Sequence, residues 1–180
     1  MEPNDISRDS AEYAEILAEI FVETVGKSAG KVDHDAEITP ALMECLQYVY
    51  LHGPSPIREI AGGLEVSLSA GSQLVERLVK KNLVTRRDSE EDRRSTKVEL
   101  TEAGCDAVIL MRKRKSEWFE GILQSMPHSQ RKAFREGLES FLRIALASGD
   151  NVDRACVRCG MEHVSFCVVN KVKSKRAASQ

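Results

Sequence analysis

The sequence predicts a mainly α-helical fold with one small β-hairpin. Three observations lead to this expectation. Apolar residues recur at helical spacing through most of the chain, three short helical segments follow one another between residues 38 and 81, and two short alternating segments come directly after them. That order of elements is typical of a winged helix-turn-helix. The length of 180 residues and a hydrophobic fraction of 42% suit one globular domain with a small appendage.

The N-terminal segment, residues 1–37, predicts one amphipathic helix and a linker. Apolar residues from Tyr13 to Val25 recur at spacings of three and four, on one side of a helix opened by Asp9 and Ser10. Residues 26–37 are small, polar and charged, which predicts a linker. Ten acidic residues against three basic ones give residues 1–37 a local net charge of −7. This segment should therefore repel polyanions.

Three short helices are predicted next. Thr39 caps the first, with Pro40 in its first turn, and residues 52–54 end it. Ser55-Pro56 is expected to cap and open the second. The third runs from about Ser67 to Lys81, and Asn82 supplies a left-handed stop. Its expected inward residues are Leu68, Gly71, Leu74, Val75, Leu78 and Val79.

A hairpin and two long helices follow. Residues 84–88 and 96–100 alternate roughly in and out and enclose seven polar or charged residues, which predicts two strands with a charged tip. Thr101 caps a long helix that Pro127 interrupts, and Ser129 opens the last one. The expected buried residues of the two helices are Val108, Met111, Trp118, Phe119, Ile122 and Leu123, then Phe134, Leu138, Phe141, Leu142, Ala145 and Leu146.

The third short helix carries polar side chains off its apolar stripe: Ser69, Ser72, Gln73 and Arg77. Such side chains can bind base edges or phosphates, and arginine does so with a planar fork. A solvated helix face explains the same pattern. Residues 80–97 hold seven basic against four acidic residues, so a locally basic surface lies nearby although the whole chain has a net charge of −2.

The hairpin carries a more specific motif. Asp92-Arg93-Arg94 near its tip and Leu100-Thr101 at its end resemble the wing of the multiple-antibiotic-resistance regulator (MarR) family. The resemblance covers about residues 38–107. It implies a homodimer on duplex DNA with a pseudo-palindromic operator, two recognition helices in successive major grooves and two wing tips in the flanking minor grooves.

The resemblance also assigns roles to the wing residues. Arg94 enters the minor groove, Asp92 holds it by a charge-assisted hydrogen bond, and Arg93 touches the DNA backbone. The DNA-binding residues implied are Ser55, Ser67, Ser69, Ser72, Gln73, Arg77, Asp92, Arg93 and Arg94.

The chain is expected to divide into four parts, of which the first three follow from the resemblance. They are a dimerisation helix with its linker (1–37), a winged helix-turn-helix (38–101), C-terminal dimerisation helices (102–150) and a tail (151–180). Members of the family often hold small aromatic or anionic effectors between the reading heads and the dimer helices. Tyr48, His52 and Trp118 are candidates for such a pocket, but ordinary packing explains each of them and no pocket is assigned.

The tail contains Cys-x2-Cys-x3-His-x3-Cys, formed by Cys156, Cys159, His163 and Cys167. Thiolates and imidazole are ligands that zinc prefers. A straight helix would separate Cys159 and Cys167 by ~12 Å, too far for two Zn–S bonds of about 2.3 Å each, but Gly160 allows the chain to turn. The pattern is similar to a shortened retroviral zinc knuckle and predicts a zinc site.

Three alternatives to zinc stay open. An iron–sulfur cluster would make the chain a redox or iron–sulfur sensing regulator. A thiol switch between Cys156 and Cys159 is favoured by the neighbouring Arg154 and Arg158. The third is a loose tail whose cysteines bind nothing. Residues 171–176 are expected to form a mobile basic end that adds nonspecific attraction to DNA.

No enzyme is expected, because the chain lacks the nucleophile-elbow, phosphate-loop, zinc-protease and dinucleotide motifs. A protein-interaction module without DNA binding would leave Arg94 unexplained. No apolar run approaches the ~18 residues of a membrane span, and residues 1–5 do not resemble a secretory signal. The expectation is a cytoplasmic repressor without a membrane partner, responsive to a small ligand, a metal or a redox change.

Overall fold

The computed structural model describes residues 8–29, 38–88, 96–148, 155 and 167–177. Most of these residues are helical, and a small antiparallel sheet accompanies them, which confirms the predicted fold class. In chain order the elements are α1 (Arg8–Ala29), α2 (Pro40–His52), β1 (Ser55–Pro56), α3 (Ile57–Gly63), α4 (Leu68–Lys80), β2 (Val84–Asp88), β3 (Thr96–Leu100), α5 (Glu102–Ser125), α6 (His128–Ser148) and α7 (Val168–Ala177).

Helix α1 is longer than predicted. It continues through Gly26 to Ala29, so these residues are helical and not part of the linker that was expected to begin at Gly26. One glycine costs a helix only about 1 kcal/mol, and Ala29 is again a good helix former. Phe21 packs its ring against Phe119 of α5 and Phe134 of α6, with centroids 6.4 and 6.1 Å apart. These contacts join the N-terminal helix to both long C-terminal helices.

The main core lies between α2, α3, α4, the sheet and the start of α5. Thr39 caps α2 as predicted, since its side chain accepts a hydrogen bond from the Leu42 N–H, with Pro40 beginning the helix. Asn82 adopts the left-handed conformation expected of the stop after α4, with φ 56°. The fully buried side chains are Leu42, Cys45, Leu46, Ile60, Val75, Leu78, Val84, Val98 and Val108.

The sheet contains a strand that the sequence did not predict. Its order is β1-β3-β2, and Ser55 pairs with Val98. The expectation that Ser55-Pro56 caps α3 was wrong, because Pro56 occupies the cap position without a side-chain hydrogen bond. Two residues are too few to show a strand period in the sequence. The hairpin of β2 and β3 has the predicted bounds, with Val84 opposite Leu100.

The long helices α5 and α6 begin and end near the predicted positions. Thr101 caps α5 through the Gly104 N–H, and α6 begins after Pro127. Val108 and Met111 are buried as expected. Ile122 and Phe141, expected to be buried, are exposed, with Phe141 65% exposed. The apolar stripes of the two helices continue beyond the part of the core that covers them.

The C-terminal basic segment forms a helix, α7, rather than the mobile end that was expected. Val169 and Val172, three residues apart on one helix side, are buried against Leu146 of α6. Lys171 Nζ lies 2.8 Å from Glu139 Oε1 of α6. The alternation of lysine with valine hid this apolar stripe in the sequence. Within the described ranges, no helix is long and apolar enough to span a bilayer.

Candidate nucleic-acid interface

Helices α3 and α4 form a helix-turn-helix held by close backbone contact. Gly71 of α4 lies against Ala61 of α3, and a Cβ added at Gly71 would stand 2.8 Å from the Ala61 Cβ. The glycine that weakens α4 by about 1 kcal/mol of helix propensity therefore allows the two helices to cross closely. The buried side of α4 consists of Gly71, Val75 and Leu78. The opposite side of α4 faces solvent.

Three of the predicted DNA-binding residues share this outward face. Ser69, Gln73 and Arg77 follow one another at intervals of four residues, and all three are exposed. Residues four apart on a helix lie above one another about 6 Å apart. The face thus presents a hydroxyl, an amide and a guanidinium in one row, which is an arrangement able to hydrogen-bond to base edges and phosphates.

Two other predicted residues form hydrogen bonds within α4. The Ser67 hydroxyl caps the helix by accepting from the Ala70 N–H at 3.1 Å. The Ser72 hydroxyl donates to the Leu68 carbonyl at 2.8 Å. Both bonds fix the first turn of α4. Either hydroxyl oxygen retains a lone pair, so these bonds leave contact with DNA open.

Ser55 does not join this face. Its side chain belongs to β1 and is only 3% exposed. Its hydroxyl donates to the Gly53 carbonyl at 3.0 Å, which closes the turn between α2 and β1. The predicted DNA contact of the Ser55 side chain is therefore replaced by a structural role. A polar side chain beside a proline was misread as a helix cap.

The inward stripe predicted for α4 was wrong at both ends. Leu68 is 57% exposed and Val79 is 40% exposed. Leu68 is the first residue of α4 and lies beyond the packing surface of α3, while Val79 lies near the other end. Helical spacing alone does not show where a helix extends past its neighbour, so the exposure of these two residues could not be predicted from the sequence.

The hairpin places arginines beside α4. Arg86 and Arg87 on β2 are exposed, and Arg87 Nε lies 2.9 Å from Glu99 Oε2 of β3. This cross-strand ion pair holds one guanidinium on the wing, and sequence reasoning missed it because the pairing register was needed to see it. The wing residues Asp92, Arg93 and Arg94 lie outside the described residues.

The candidate effector residues take part in packing. Tyr48 is buried, its ring lies against Gly63, and its centroid is 4.4 Å from that of His52. Burial, with the nearby Glu59 carboxylate, raises the pKa of the Tyr48 hydroxyl. Trp118 stacks edge-on against Phe119 at 5.0 Å. Tyr48 and Trp118 therefore contribute to the packing of the fold.

The predicted metal ligands are mostly outside the described residues. Cys156, Cys159 and His163 are among the residues left undescribed, and Cys167 is half-buried directly before α7. Where the chain is described, no three potential ligands form a group that could hold a metal ion. Burial raises the pKa of the core thiol Cys45 to about 12, so that cysteine is protonated and unsuited to metal binding.

Residues 38–96 match the MarR family. Over 85 residues the chain is 34% identical to an uncharacterized HTH-type transcriptional regulator, YpoP, from Bacillus subtilis strain 168. This match covers 47% of the present chain and 60% of that relative. The chain thus spans less than two thirds of the length of this curated relative.

Solved structures are similar over a longer part of the chain. The transcriptional regulator Tm0710 from Thermotoga maritima is 26% identical, with a TM-score of 0.62, over 77% of this chain and 99% of that one. A mutant of MepR from Staphylococcus aureus, solved bound to an oligodeoxyribonucleotide, is 18% identical with a TM-score of 0.58 over 73% of this chain and 97% of the other. At that identity the second likeness shows the fold alone.

Proposed function

We propose, from the MarR-family winged-helix domain to which residues 38–96 of this chain belong, that the protein is a DNA-binding transcriptional regulator and not an enzyme. The observation that carries the proposal is the outward row of Ser69, Gln73 and Arg77 on α4, with the exposed Arg86 and Arg87 of β2 on the adjacent hairpin. A polar helix beside a basic hairpin fits the alternation of major and minor grooves in duplex DNA.

In the proposed mechanism α4 enters the major groove, where Gln73 and Arg77 meet base edges and Ser69 meets a base or a phosphate. The hairpin follows the DNA backbone to the adjacent minor groove, into which Arg94 is proposed to insert. Asp92 is proposed to orient Arg94, and Arg93 to contact the DNA backbone. A MepR mutant with a similar fold binds an oligodeoxyribonucleotide, which supports DNA as the ligand of this domain.

The regulator is proposed to act as a homodimer on a pseudo-palindromic operator. One side of α1 exposes Tyr13, Ile16, Leu17 and Ile20, and α6 exposes Phe141 and Ile144. Exposed apolar side chains of this size on two packed helices are typical of an interface that a partner covers. A second copy is the partner that also supplies a second recognition helix for the other half-site.

Regulation is proposed to be repression, since a dimer seated on an operator excludes other proteins from that DNA. A cytoplasmic location follows from a chromosomal DNA partner. A small-molecule effector or a redox change is proposed only as the signal that releases the protein from DNA. The alternative, a protein-interaction module without DNA binding, is tested by the following experiment.

The test is duplex-DNA binding at several salt concentrations, using a duplex selected from a random-sequence pool. We expect log Kd to rise steeply with log salt, because lysine and arginine contacts release counterions. Arg77→Ala and Arg94→Ala should each weaken binding, by about tenfold for a lost specific contact. Lys113→Ala, which removes one exposed charge from α5, is the matched control and should bind like wild type. Equal binding by all four proteins would refute the proposed interface.

We also propose that Cys156, Cys159, His163 and Cys167 bind zinc. The support is the ligand spacing in the sequence and the position of Cys167 at the start of α7, half-buried against apolar residues. About one zinc per chain is expected after anaerobic purification, with loss of the metal in Cys159→Ser. A visible absorption band with bound iron would favour the iron–sulfur alternative instead, and neither metal would mean free thiols.

A further inference from the structure

Leu68 is an apolar side chain in the wrong environment for ordinary packing. It is the first residue of α4 and is 57% exposed, while the buried side of α4 consists of Gly71, Val75 and Leu78. Proline and acidic residues are the side chains that favour the start of a helix, and leucine adds nothing there. The packing of the described residues therefore leaves most of this side chain available to a partner.

The backbone that carries Leu68 is held firmly. The Ser67 hydroxyl accepts from the Ala70 N–H across this turn, and the Leu68 carbonyl accepts a hydrogen bond from the Ser72 hydroxyl. The Cα–Cβ bond of Leu68 therefore has a fixed direction at the N-terminal end of the helix. A fixed apolar group loses little conformational freedom when it is covered, which makes it suited to recognition.

The surroundings indicate what covers Leu68. Leu68 continues the buried side of α4 past the end of the packing surface, with Ser72 beside it one turn on. The first turn of α4 has no acidic residue, and its last turn carries Arg77 and Lys80. A protein partner would need a broader apolar patch than Leu68 and Val66, the exposed apolar side chains of this turn. A DNA major groove fits better, because the only apolar group on its base edges is the methyl group of thymine.

We propose that Leu68 is a specificity-determining residue that packs against the 5-methyl group of one thymine in each operator half-site. This inference rests on the proposed function, because it requires α4 to lie in the major groove. The N-terminal residues of a recognition helix are the ones that reach base edges, and Leu68 precedes the polar row by one residue. The operator should therefore contain a thymine next to the base read by Ser69.

The experiment replaces single thymines by deoxyuridine, which removes the methyl group and leaves base pairing intact. In the selected duplex, each thymine is replaced in turn, and affinity is measured for wild type, Leu68→Ala and the control Val79→Ala, whose side chain is also exposed on α4. For wild type and the control, one position in each half-site should lose about fourfold in affinity, the effect of one buried methyl group. Leu68→Ala removes the contact from both half-sites, so it should bind about sixteenfold more weakly and be insensitive to deoxyuridine at that position.

Two results would overturn the inference. If Leu68→Ala responded to every deoxyuridine substitution as wild type does, no thymine would be read by Leu68, while the proposed function would stand. If Leu68→Ala changed the oligomeric state in sedimentation, the leucine would belong to a protein interface. Binding to no duplex at all would instead refute the proposed function, and this inference with it. Folding of the variant is checked by circular dichroism.

Discussion

The junction of α4, β2 and α5 depends on the missing side chain of Gly104. The Leu83 carbonyl accepts a hydrogen bond from the Thr101 N–H at 3.1 Å, and the Thr101 hydroxyl donates to the Asn82 carbonyl at 2.7 Å. A Cβ at Gly104 would stand 1.9 Å from the Leu83 carbonyl oxygen. This neighbour is backbone, so relief requires a shift of α5 of about 1 Å or more.

Gly104→Ala is therefore expected to destabilise the protein although alanine is the better helix former. Overpacking costs about 1–3 kcal/mol, and the hydrogen bond from Thr101 to Leu83 contributes about 1 kcal/mol that the shift would remove. The gain in helix propensity is at most about 1 kcal/mol. We expect a net loss of about 1–3 kcal/mol in the free energy of unfolding, or a fall in Tm of roughly 2–12 °C.

The matched control is Gly121→Ala in the same helix. A Cβ added at Gly121 has no atom within 4 Å, so only the propensity gain of about 0.5–1 kcal/mol applies. Urea denaturation at one fixed chain concentration compares the two variants with wild type. Opposite signs are expected. Stabilisation of both variants by similar amounts would show that the close approach at Gly104 does not constrain the fold.

Three further outcomes are expected. Gly71→Ala should lower the free energy of unfolding by about 1–2 kcal/mol in the same denaturation assay, since the Cβ would stand 2.8 Å from that of Ala61. Cys45 should resist alkylation at pH 8, as mapped by mass spectrometry, and react once the protein unfolds, because burial raises the pKa of its thiol to about 12. The hydrogen bond from Lys171 lowers the pKa of the exposed Glu139 carboxylate in the folded state. The docking of α7 should then be strongest above the unfolded pKa of glutamate, about 4.3, and weaken as the pH falls through the lower folded value. The measurement is the protection of the α7 amides against hydrogen exchange, relative to the intrinsic exchange rate at each pH. Protection that does not change with pH, or the same change in Lys171→Met, would contradict this prediction.

Local chemistry explains which parts of the fold could be read from the sequence. Thr39, Asn82 and Thr101 act within a few residues of chain, as caps or stops, and their positions were predicted. Strand β1 was missed because its two residues become a strand only through pairing with β3, more than forty residues later. Leu68 was misplaced because helical spacing shows a side of a helix but not where the neighbouring helix ends.

The same distinction applies to the candidate site. The outward positions of Ser69, Gln73 and Arg77 follow from the spacing of four residues, which one helix imposes by itself. The ion pair between Arg87 and Glu99 depends on the register of two strands, and no sequence pattern contained it. Residues that act within one element were predictable, and residues that act between elements were not.

The junction at Gly104 also connects α4, which carries the proposed DNA-binding face, to the long helix α5. Helix α4 ends three residues before Leu83, whose carbonyl accepts a hydrogen bond from Thr101, the residue that caps α5. The end of α4 and the start of α5 are therefore joined through backbone hydrogen bonds. Phe21 ties the far part of α5 to α1 and α6. In the proposed dimer, a shift between the terminal helices is therefore expected to move α4 together with α5 and to change the spacing of the two α4 helices.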